Sequence, residues 1–311
     1  MTLPGPLFRL QDFERHLELF SLPAAVADVV RLTQDPEVEM EELAEACGRD
    51  AALAARLVQL SNASLFARAN QVCSLREAVS FLGARTVQVA AISLCFKAIR
   101  QAEREQSVDR QAYWRHALSC SVAARILARS SRGCHPDEAF LAALLMDLSF
   151  PILLNLEFRD YVGVYARPGD AHPDEQAEIE GFEHHHAALT ARILAGWGLP
   201  DHVVAAVDGH HVPEIVVSPP KATVLARVLY FAHELVRRLH GAGAPTEIVR
   251  PLTDFWCEVL ERDRDELPTF LAGLEKAVIE MAAIFEIEVS ADARIDEIRE
   301  LCGAMPDSVA S

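Results

Sequence analysis

Residues 73–96 read CSLREAVSFLGARTVQVAAISLCF and predict two successive helices. Ser74 and Glu77 have the spacing of a capping box, in which two side chains satisfy the free backbone N–H groups at a helix start. Gly83 ends the apolar pattern of the first helix, because glycine adopts conformations at a helix end that other residues disfavour. A longer helix is then expected from about residue 85 to residue 105. The stretch therefore indicates helices packed on one another.

The same helical periodicity extends along most of the chain. Within residues 40–47, apolar side chains recur at i, i+3, i+4 and i+7, and Asp50 opens the next helical segment. No sustained period-2 alternation, which is typical of half-buried strands, lies between turn signals. These patterns predict an all-α fold, a multi-helix bundle. Further helices are expected near residues 109–130, 137–147, 184–197, 200–211, 221–240, 248–261, 268–286 and 290–301.

Polar and glycine-rich stretches divide the chain into three helical parts. The polar sequence QAEREQSVDR joins an N-terminal helical bundle, residues 1–105, to a central helical core, residues 106–240. The sequence HGAGAP, at 240–245, is a second break, and a C-terminal helical extension, residues 241–311, begins within it. No linker is long enough to predict domains that move independently.

The chain is strongly acidic. Among its 311 residues, 29 are Lys or Arg and 46 are Asp or Glu, so the formal net charge is −17. This balance argues against broad binding to nucleic acid or to anionic membranes, because neutralising phosphates requires a concentrated basic surface. The acidic residues of 167–183 occur with proline and glycine, which predicts an exposed loop or a frayed helix there.

The apolar segments and the cysteines bear on the cellular compartment. No segment is long and apolar enough to predict a membrane span, and the N-terminus lacks the basic start and apolar run of a secretory signal. The 7 cysteines form no CxxC pair, and most fall in apolar helical patterns. Such cysteines are typical of buried, reduced thiols. We therefore expect a cytoplasmic protein.

Residues 40–60 also have the length of a helix-turn-helix. A recognition helix presents Arg, Lys, Asn or Gln to base edges and phosphates. The second helix here offers only Arg56 and Gln59, and the first carries three glutamates. Two packed helices of a bundle are the favoured interpretation.

A second basic feature lies on the predicted helix 85–105. Lys97, Arg100 and Arg104 recur there at helical spacing. They form either a solvated helix face or a stripe that holds a phosphate-bearing ligand or an acidic partner. The solvated face is the favoured interpretation.

Histidines on separate predicted helices are the candidate site residues. They are His116, His186, His210, His211 and His233. Asp147 lies in the otherwise apolar sequence FLAALLMDLS, where an ionised carboxylate is costly without a partner. Imidazoles and a carboxylate brought together from separate helices could form a metal site within a bundle. Any one of these residues alone is more often a hydrogen-bonded structural residue, whereas the set as a whole favours a site.

Four stretches together resemble a known family. They are SLPAAVADVVRLTQDPEVEMEELAEACGRDAALAARLVQLSNASLF (21–66), CSLREAVSFLGARTVQVAAISLCF (73–96), YWRHALSCSVAARILA (113–128) and HAALTARILAGWGLPDHVVAAVDGHH (186–211). In this order they resemble the HD superfamily of metal-dependent phosphohydrolases, and more closely the HDOD family, the HD-related output domains of bacterial signalling. The resemblance covers most of residues 20–240 and implies an N-terminal helical subdomain packed on an HD-like helical core.

The resemblance also implies a set of ligand positions. HD enzymes hold metal with a His, an adjacent His-Asp pair and a later Asp, and binuclear members add further histidines. His116 matches the first His, and Asp147 matches the Asp of the pair. His186 and His210 match the additional histidines, with His211 as a neighbouring candidate.

Two of the implied ligands are replaced in this sequence. Met146 stands at the His of the pair, and His233 stands at the final Asp. A thioether is a poor ligand for Mn²⁺, Mg²⁺ or Fe, and losing a carboxylate removes charge that holds a hard cation. The resemblance with these departures implies a degenerate metal site, no catalytic residue and no required cofactor. A divalent Fe, Mn or Zn ion stays an open alternative, with His233 joining His116, His186 and Asp147 around a softer metal.

Three functional hypotheses follow from the resemblance. The first is a non-catalytic signalling protein that acts through protein partners (a kinase, a receiver or a cyclic-dinucleotide enzyme) or through a bound small ligand, with a homodimer as a compatible state. The sequence shows no receiver, GGDEF or EAL pattern, so the input is expected to come from another polypeptide or a ligand. The alternative is a divergent metal-dependent phosphohydrolase acting on a nucleotide or cyclic dinucleotide. The third is a nucleotide receptor without turnover, with phosphates bound near residues 97–104.

Overall fold

The computed structural model describes residues 22–66, 71–102, 110–150, 178, 185–241, 243–289 and 291–304, and only the backbone of residues 93–102, 110 and 111. These ranges contain twelve α-helices and no β-strand, which confirms the all-α prediction. The helices are α1 (Ala24–Thr33), α2 (Met40–Gly48), α3 (Ala51–Ser61), α4 (Leu75–Ala102), α5 (Arg110–Ala128), α6 (Pro136–Leu145), α7 (His186–Gly196), α8 (Asp201–Asp208), α9 (Pro220–Leu239), α10 (Pro245–Asp254), α11 (Glu266–Ile284) and α12 (Ala293–Ala304). Within these ranges, no helix has both the length and the apolar character needed to cross a membrane.

The helix start and stop signals act as the sequence indicates. Asp50 caps α3 by accepting a hydrogen bond of 2.9 Å from the Leu53 N–H, and Ser74 Oγ accepts one of 3.2 Å from the Glu77 N–H before α4. Gly83 has φ 73° and ψ 165°, so it breaks the helical path inside α4. This left-handed φ favours glycine, which lacks a Cβ to clash with the backbone. The two helices expected from 73–96 are therefore present, joined at Gly83.

The N-terminal helices form their own packed layer. α1, α2 and α3 each pack against α4, and α3 also contacts α11. Their apolar faces bury Val29, Leu43 and Leu57 completely. Arg56 on α3 is buried too, and its guanidinium carbon lies 5.9 Å from the centroid of the Phe285 ring. This face of α3 is turned toward the protein interior and not toward a DNA groove.

A buried arginine ties this layer to the helices that follow. On α5, Arg125 Nε donates to Asp137 Oδ1 of α6 at 2.9 Å, and its Nη1 donates to the Leu65 carbonyl at 2.8 Å. The guanidinium also lies over the Phe66 ring, 4.1 Å from its centroid. One cation therefore connects α5, α6 and the turn after α3.

Helix α5 is the centre of the remaining bundle. It packs against α6, α9 and α11, while α8 packs against both α7 and α9. The helices α10 to α12, which no sequence motif matches, pack on one another, and α10 also contacts α9. This arrangement brings the middle of α5 and of α9 close to the turn after α6, the start of α7 and the turn after α8.

Two helices end earlier than the sequence pattern predicts. α6 ends at Leu145, so Asp147 lies in a turn stabilised by the Leu148 N–H bond to the Leu145 carbonyl at 2.9 Å. α8 ends at Asp208, so His210 and His211 also lie in a turn and not on a helix. The apolar pattern continues past α6 because Met146 and Leu148 are still buried, whereas α8 is followed at once by Gly209, its C-cap.

Candidate metal centre

Four of the predicted residues meet at one point of the bundle. The Asp147 cluster consists of Asp147, His186, His210 and His211, whose potential ligand atoms all lie within 4.8 Å of one another. The side chain of Asp147 is 3% exposed, while His186 and His210 are 0% exposed. The cluster therefore brings a carboxylate and three imidazoles into a low-dielectric interior, where each charge needs a partner.

Asp147 stands between two imidazoles. Its Oδ1 lies 3.2 Å from His186 Nε2 and 3.5 Å from His210 Nε2. Its backbone carbonyl accepts a hydrogen bond from the Tyr113 hydroxyl at 3.3 Å, which helps to hold the turn after α6. Burying a carboxylate without a partner costs several kcal/mol, so the Asp147 carboxylate depends on its contacts with the imidazoles.

Glu178 orients His186 from the opposite side. Its Oε2 lies 2.6 Å from His186 Nδ1 and accepts the His186 backbone N–H at 2.9 Å, with both residues fully buried. Burial alone lowers the pKa of His186, but Glu178 and Asp147 outweigh it and raise that pKa to about 10. In the metal-free protein His186 is therefore an imidazolium held between two carboxylates. A carboxylate behind a histidine is also the usual outer support of a metal ligand.

The backbone orients His210 in a similar way. His210 Nδ1 lies 2.6 Å from the Val207 carbonyl, which can only accept, so Nδ1 carries the proton. The other ring nitrogen, Nε2, faces Asp147. Nε2 is buried and makes no hydrogen bond within the described part of the chain. His211 completes the group, with its Nε2 2.8 Å from His186 Nε2.

The other two predicted histidines lie in a second, adjacent group. The Cys120 cluster consists of His116, Cys120 and His233, whose potential ligand atoms also lie within 4.8 Å of one another. Cys120 Sγ is 3.4 Å from His116 Nε2, and all three side chains are buried. Burial and then the nearby Asp147 charge raise the pKa of Cys120 well above its ordinary value, so the sulfur is a thiol in the metal-free protein.

The two clusters form one continuous region. The His211 and His233 ring centroids are 5.1 Å apart, and those of His210 and His233 are 6.1 Å apart. All five predicted positions therefore come together, divided into two groups. Met146 is completely buried within the hydrophobic core.

Sequence reasoning missed Cys120 and Glu178. Cys120 follows His116 by four residues on a helix, a spacing that places both side chains on one face, so the signal was present. Glu178 lies in the acidic stretch expected to be exposed, and here the expectation is wrong, because Glu178 is helical and fully buried. No local pattern marks it. The rest of 167–183 lies outside the described residues, as does Arg104, and the side chains of Lys97 and Arg100 are not described.

Comparison with known proteins places this chain in a family. The sequence model of the HDOD domain matches residues 19–213, more than half of the chain. The chain belongs to the HDOD family. Among curated proteins, this HDOD chain is similar to an uncharacterized protein of Treponema pallidum (strain Nichols), with 23% identity over 244 residues that cover 76% of this chain. The match covers 45% of that relative, so the chain spans less than half of its length.

Solved structures share the fold of this HDOD chain. An HDOD domain protein of unknown function from Geobacter sulfurreducens is 22% identical, with a TM-score of 0.57, and the match covers 94% of this chain and 98% of that one. A candidate signal transduction protein from Marinobacter aquaeolei VT8 is 24% identical, with a TM-score of 0.60 and coverage of 91% and 63%. A candidate phosphohydrolase from Shewanella amazonensis SB2B is 18% identical, with a TM-score of 0.58 and coverage of 93% of each chain. At these identities the likeness shows an HD-like helical fold.

The donor atoms decide which metal the HDOD site fits. The Asp147 cluster offers one carboxylate and three imidazoles, a set suited to a single Fe, Mn or Zn ion. The Cys120 cluster adds imidazole and thiol but no carboxylate. A pair of hard cations that activates water for phosphoester hydrolysis needs anionic oxygen ligands on both ions. Among the described residues, these two clusters therefore do not fit the hard binuclear centre of HD phosphohydrolases.

Proposed function

We propose that this chain is a non-catalytic signalling protein of the bacterial cytoplasm that acts through protein partners or a bound small ligand. The observation that carries the proposal is the composition of the site. Met146 and His233 stand at two HD ligand positions, and the second half of the site has a thiol instead of a carboxylate. The chain keeps the helical fold but has lost ligands that a hydrolytic metal centre needs. This combination is expected of a domain that is retained for binding.

The burial of the clusters supports the same proposal. Asp147, His186 and His210 are 3% exposed or less, and His116 and His233 are each 3% exposed. A phosphoester substrate would have to reach these atoms, whereas a structural polar cluster needs no such access. A buried hydrogen bond such as that between His186 and Glu178 favours one packing of the helices around it.

A separate cavity supports the ligand part of the proposal. It has a volume of about 410 Å³ and lies where α1 meets the turn between α7 and α8. Arg31 lines it from α1, Gln34 lines it from the residue after α1 with its amide nitrogen donating to the Gly198 carbonyl, and Trp197 lines it from the turn. A cation, an amide and an indole together suit a planar, anionic ligand such as a nucleotide. A ligand held there would contact the N-terminal layer and the core at once.

The proposal that the chain binds a small ligand is tested by titrating it with a nucleoside triphosphate and with a cyclic dinucleotide. We expect saturable binding that weakens with salt and is lost in Arg31→Ala, because phosphate recognition rests on charge. Arg250→Ala, which removes an exposed arginine on α10, is the matched control. Saturable binding that Arg31→Ala leaves unchanged would remove this cavity from the proposal.

The partner arm is tested by genetic complementation. A bacterium lacking this gene receives the wild-type chain or Asp147→Asn, whose folding is checked by circular dichroism. We expect both to restore the wild-type phenotype and to cross-link to the same partner, of the kinase, receiver or cyclic-dinucleotide enzyme class, or to a second copy of the chain. A folded Asp147→Asn that fails to complement would overturn the non-catalytic proposal.

The retained Asp147 cluster favours one alternative, a divergent phosphohydrolase acting on a nucleotide or cyclic dinucleotide. This alternative requires phosphoester turnover by wild-type chain loaded with Mn²⁺, Fe²⁺ or Zn²⁺, and loss of that turnover in Asp147→Asn. We expect no turnover that depends on Asp147. Its detection would establish the alternative.

A further inference from the structure

The Cys120 cluster combines ligand types that the HD ligand positions do not. His116 and Cys120 are four residues apart on α5, so their side chains project from one helix face, and His233 approaches from α9. Imidazole and thiolate are borderline and soft ligands, which select Zn²⁺ over Mg²⁺ or Mn²⁺. The cluster therefore differs in chemistry from the carboxylate-containing group beside it.

One donor–donor distance matches that of a tetrahedral zinc site, and the others are at most 4.8 Å. Zn–N bonds of about 2.0 Å and Zn–S bonds of about 2.3 Å place tetrahedral donors roughly 3.3–3.7 Å apart. Cys120 Sγ and His116 Nε2 are already 3.4 Å apart. The His116 and His233 rings meet edge to face with centroids 5.3 Å apart, and all ligand atoms lie within 4.8 Å. Closing the three donors on one ion requires the remaining separations to shorten by at most about 1.5 Å.

We propose that His116, Cys120 and His233 bind one Zn²⁺ ion through two imidazole nitrogens and a thiolate. Binding replaces the Cys120 S–H bond with a Zn–S bond and releases that proton to solvent, so atoms and charge balance. Three protein ligands leave the fourth tetrahedral position for water or an external donor. The site goes beyond the proposed function, because it holds whether or not the chain signals, and it would bridge α5 and α9.

The neighbouring Asp147 cluster is the alternative location for zinc, and the kind of donor atom separates the two. Zinc in the Asp147 cluster would have only nitrogen and oxygen neighbours, whereas zinc in the Cys120 cluster has a sulfur neighbour. X-ray absorption distinguishes a sulfur shell near 2.3 Å from a nitrogen or oxygen shell near 2.0 Å.

The experiment is X-ray absorption at the zinc edge on the wild-type chain loaded with one equivalent of Zn²⁺ after chelator treatment. We expect one sulfur neighbour per zinc, and the same sulfur coordination as a thiolate-to-metal charge-transfer band when Co²⁺ replaces Zn²⁺. Cys120→Ser is expected to lose both signals, while Cys134→Ser, another buried cysteine on the loop before α6, is expected to keep them.

Three results would overturn the proposal. They are a zinc spectrum with nitrogen and oxygen neighbours only, a wild-type chain that takes up no zinc, and a sulfur signal that persists in Cys120→Ser. The first and second are read on the wild type, so the proposal is testable even if the serine variant does not fold. None of these results depends on signalling or turnover.

Discussion

Glu178 Oε2 lies 2.6 Å from His186 Nδ1, with both side chains completely buried. This contact joins a residue of the acidic stretch to the start of α7, and it fixes which His186 nitrogen faces Asp147. The contact also places a negative charge beside a buried imidazolium. Its removal therefore affects stability in a way that depends on pH.

We expect Glu178→Gln to destabilise the metal-free protein by roughly 3 kcal/mol near pH 6.5, because it removes one partner of a buried charged pair. His186 has a folded pKa of about 10 against an ordinary 6.5, so its contribution is complete below pH 6.5 and is lost as pH rises through 10. The difference between wild type and Glu178→Gln should shrink over that range. Urea unfolding at several pH values, with chelator present, measures it.

Glu138→Gln is the matched control for this prediction. Glu138 Oε1 lies 2.8 Å from His202 Nε2 in a pair that keeps contact with solvent. The same chemical change there should cost about 1 kcal/mol or less. The charge state assigned to His186 would be contradicted by equal losses of unfolding free energy in the two variants. It would also be contradicted if the stability difference between wild type and Glu178→Gln grew with pH.

The buried Arg125 should matter more than a surface arginine. Arg125→Met takes the arginine partner from Asp137 and one of two donors from the Leu65 carbonyl, which keeps Arg129 Nη2 at 3.3 Å, and we expect a loss of about 3 kcal/mol in the free energy of unfolding. Arg250→Met breaks an exposed pair with Asp254 and should stay within about 0.5 kcal/mol of wild type. Thermal and urea unfolding of both variants test this, and similar stabilities would show that Arg125 does not bridge the two layers.

Gly209 should not tolerate a side chain. A Cβ there would overlap the side chain of Val216, a nearly buried residue in the segment before α9. Valine has few rotamers with which to move away, so Gly209→Ala should cost about 1–3 kcal/mol and displace the adjacent His210.

Gly273→Ala gives the opposite expectation and serves as the control. Gly273 lies on α11 with no atom near the position of a new Cβ, so alanine should stabilise the chain by up to about 1 kcal/mol through helix propensity. Differential scanning calorimetry of both variants measures whether each is less or more stable than wild type. A neutral Gly209→Ala would mean that the turn after α8 adjusts freely.

Restoring the two replaced HD ligands should restore affinity for a hard cation. The double variant Met146→His, His233→Asp returns an imidazole and a carboxylate to the two positions where the family resemblance implies metal ligands. We expect its Kd for Mn²⁺ to fall on the order of 10- to 100-fold. Loss of a residue that only supports a metal ligand already changes affinity by about this factor. Titration calorimetry with Mn²⁺ measures this change.

His202→Asp is the charge control for the double variant, because it adds a carboxylate away from both clusters. Its Mn²⁺ affinity should equal that of wild type. An unchanged affinity in a folded double variant would show that these two replacements do not explain the poor fit to hard cations.

The helices and the family can be predicted from the amino-acid sequence alone. Apolar spacing, the Asp50 and Ser74 caps and the break at Gly83 act within a few residues, so they can be predicted without knowing what each helix packs against. The order of four helical stretches was enough to indicate the HDOD family. The five predicted ligand positions also come together as the resemblance implies, and their role in binding metal stays a prediction.

How the predicted ligand residues are grouped becomes visible only in the folded protein. It separates Asp147 from Cys120 into adjacent clusters and places the distant Glu178 behind His186. It also ends α6 and α8 before their site residues, although the apolar pattern continues past α6. Periodicity reports which residues are buried, whereas side-chain distances between separate helices depend on how those helices pack, which no local spacing encodes.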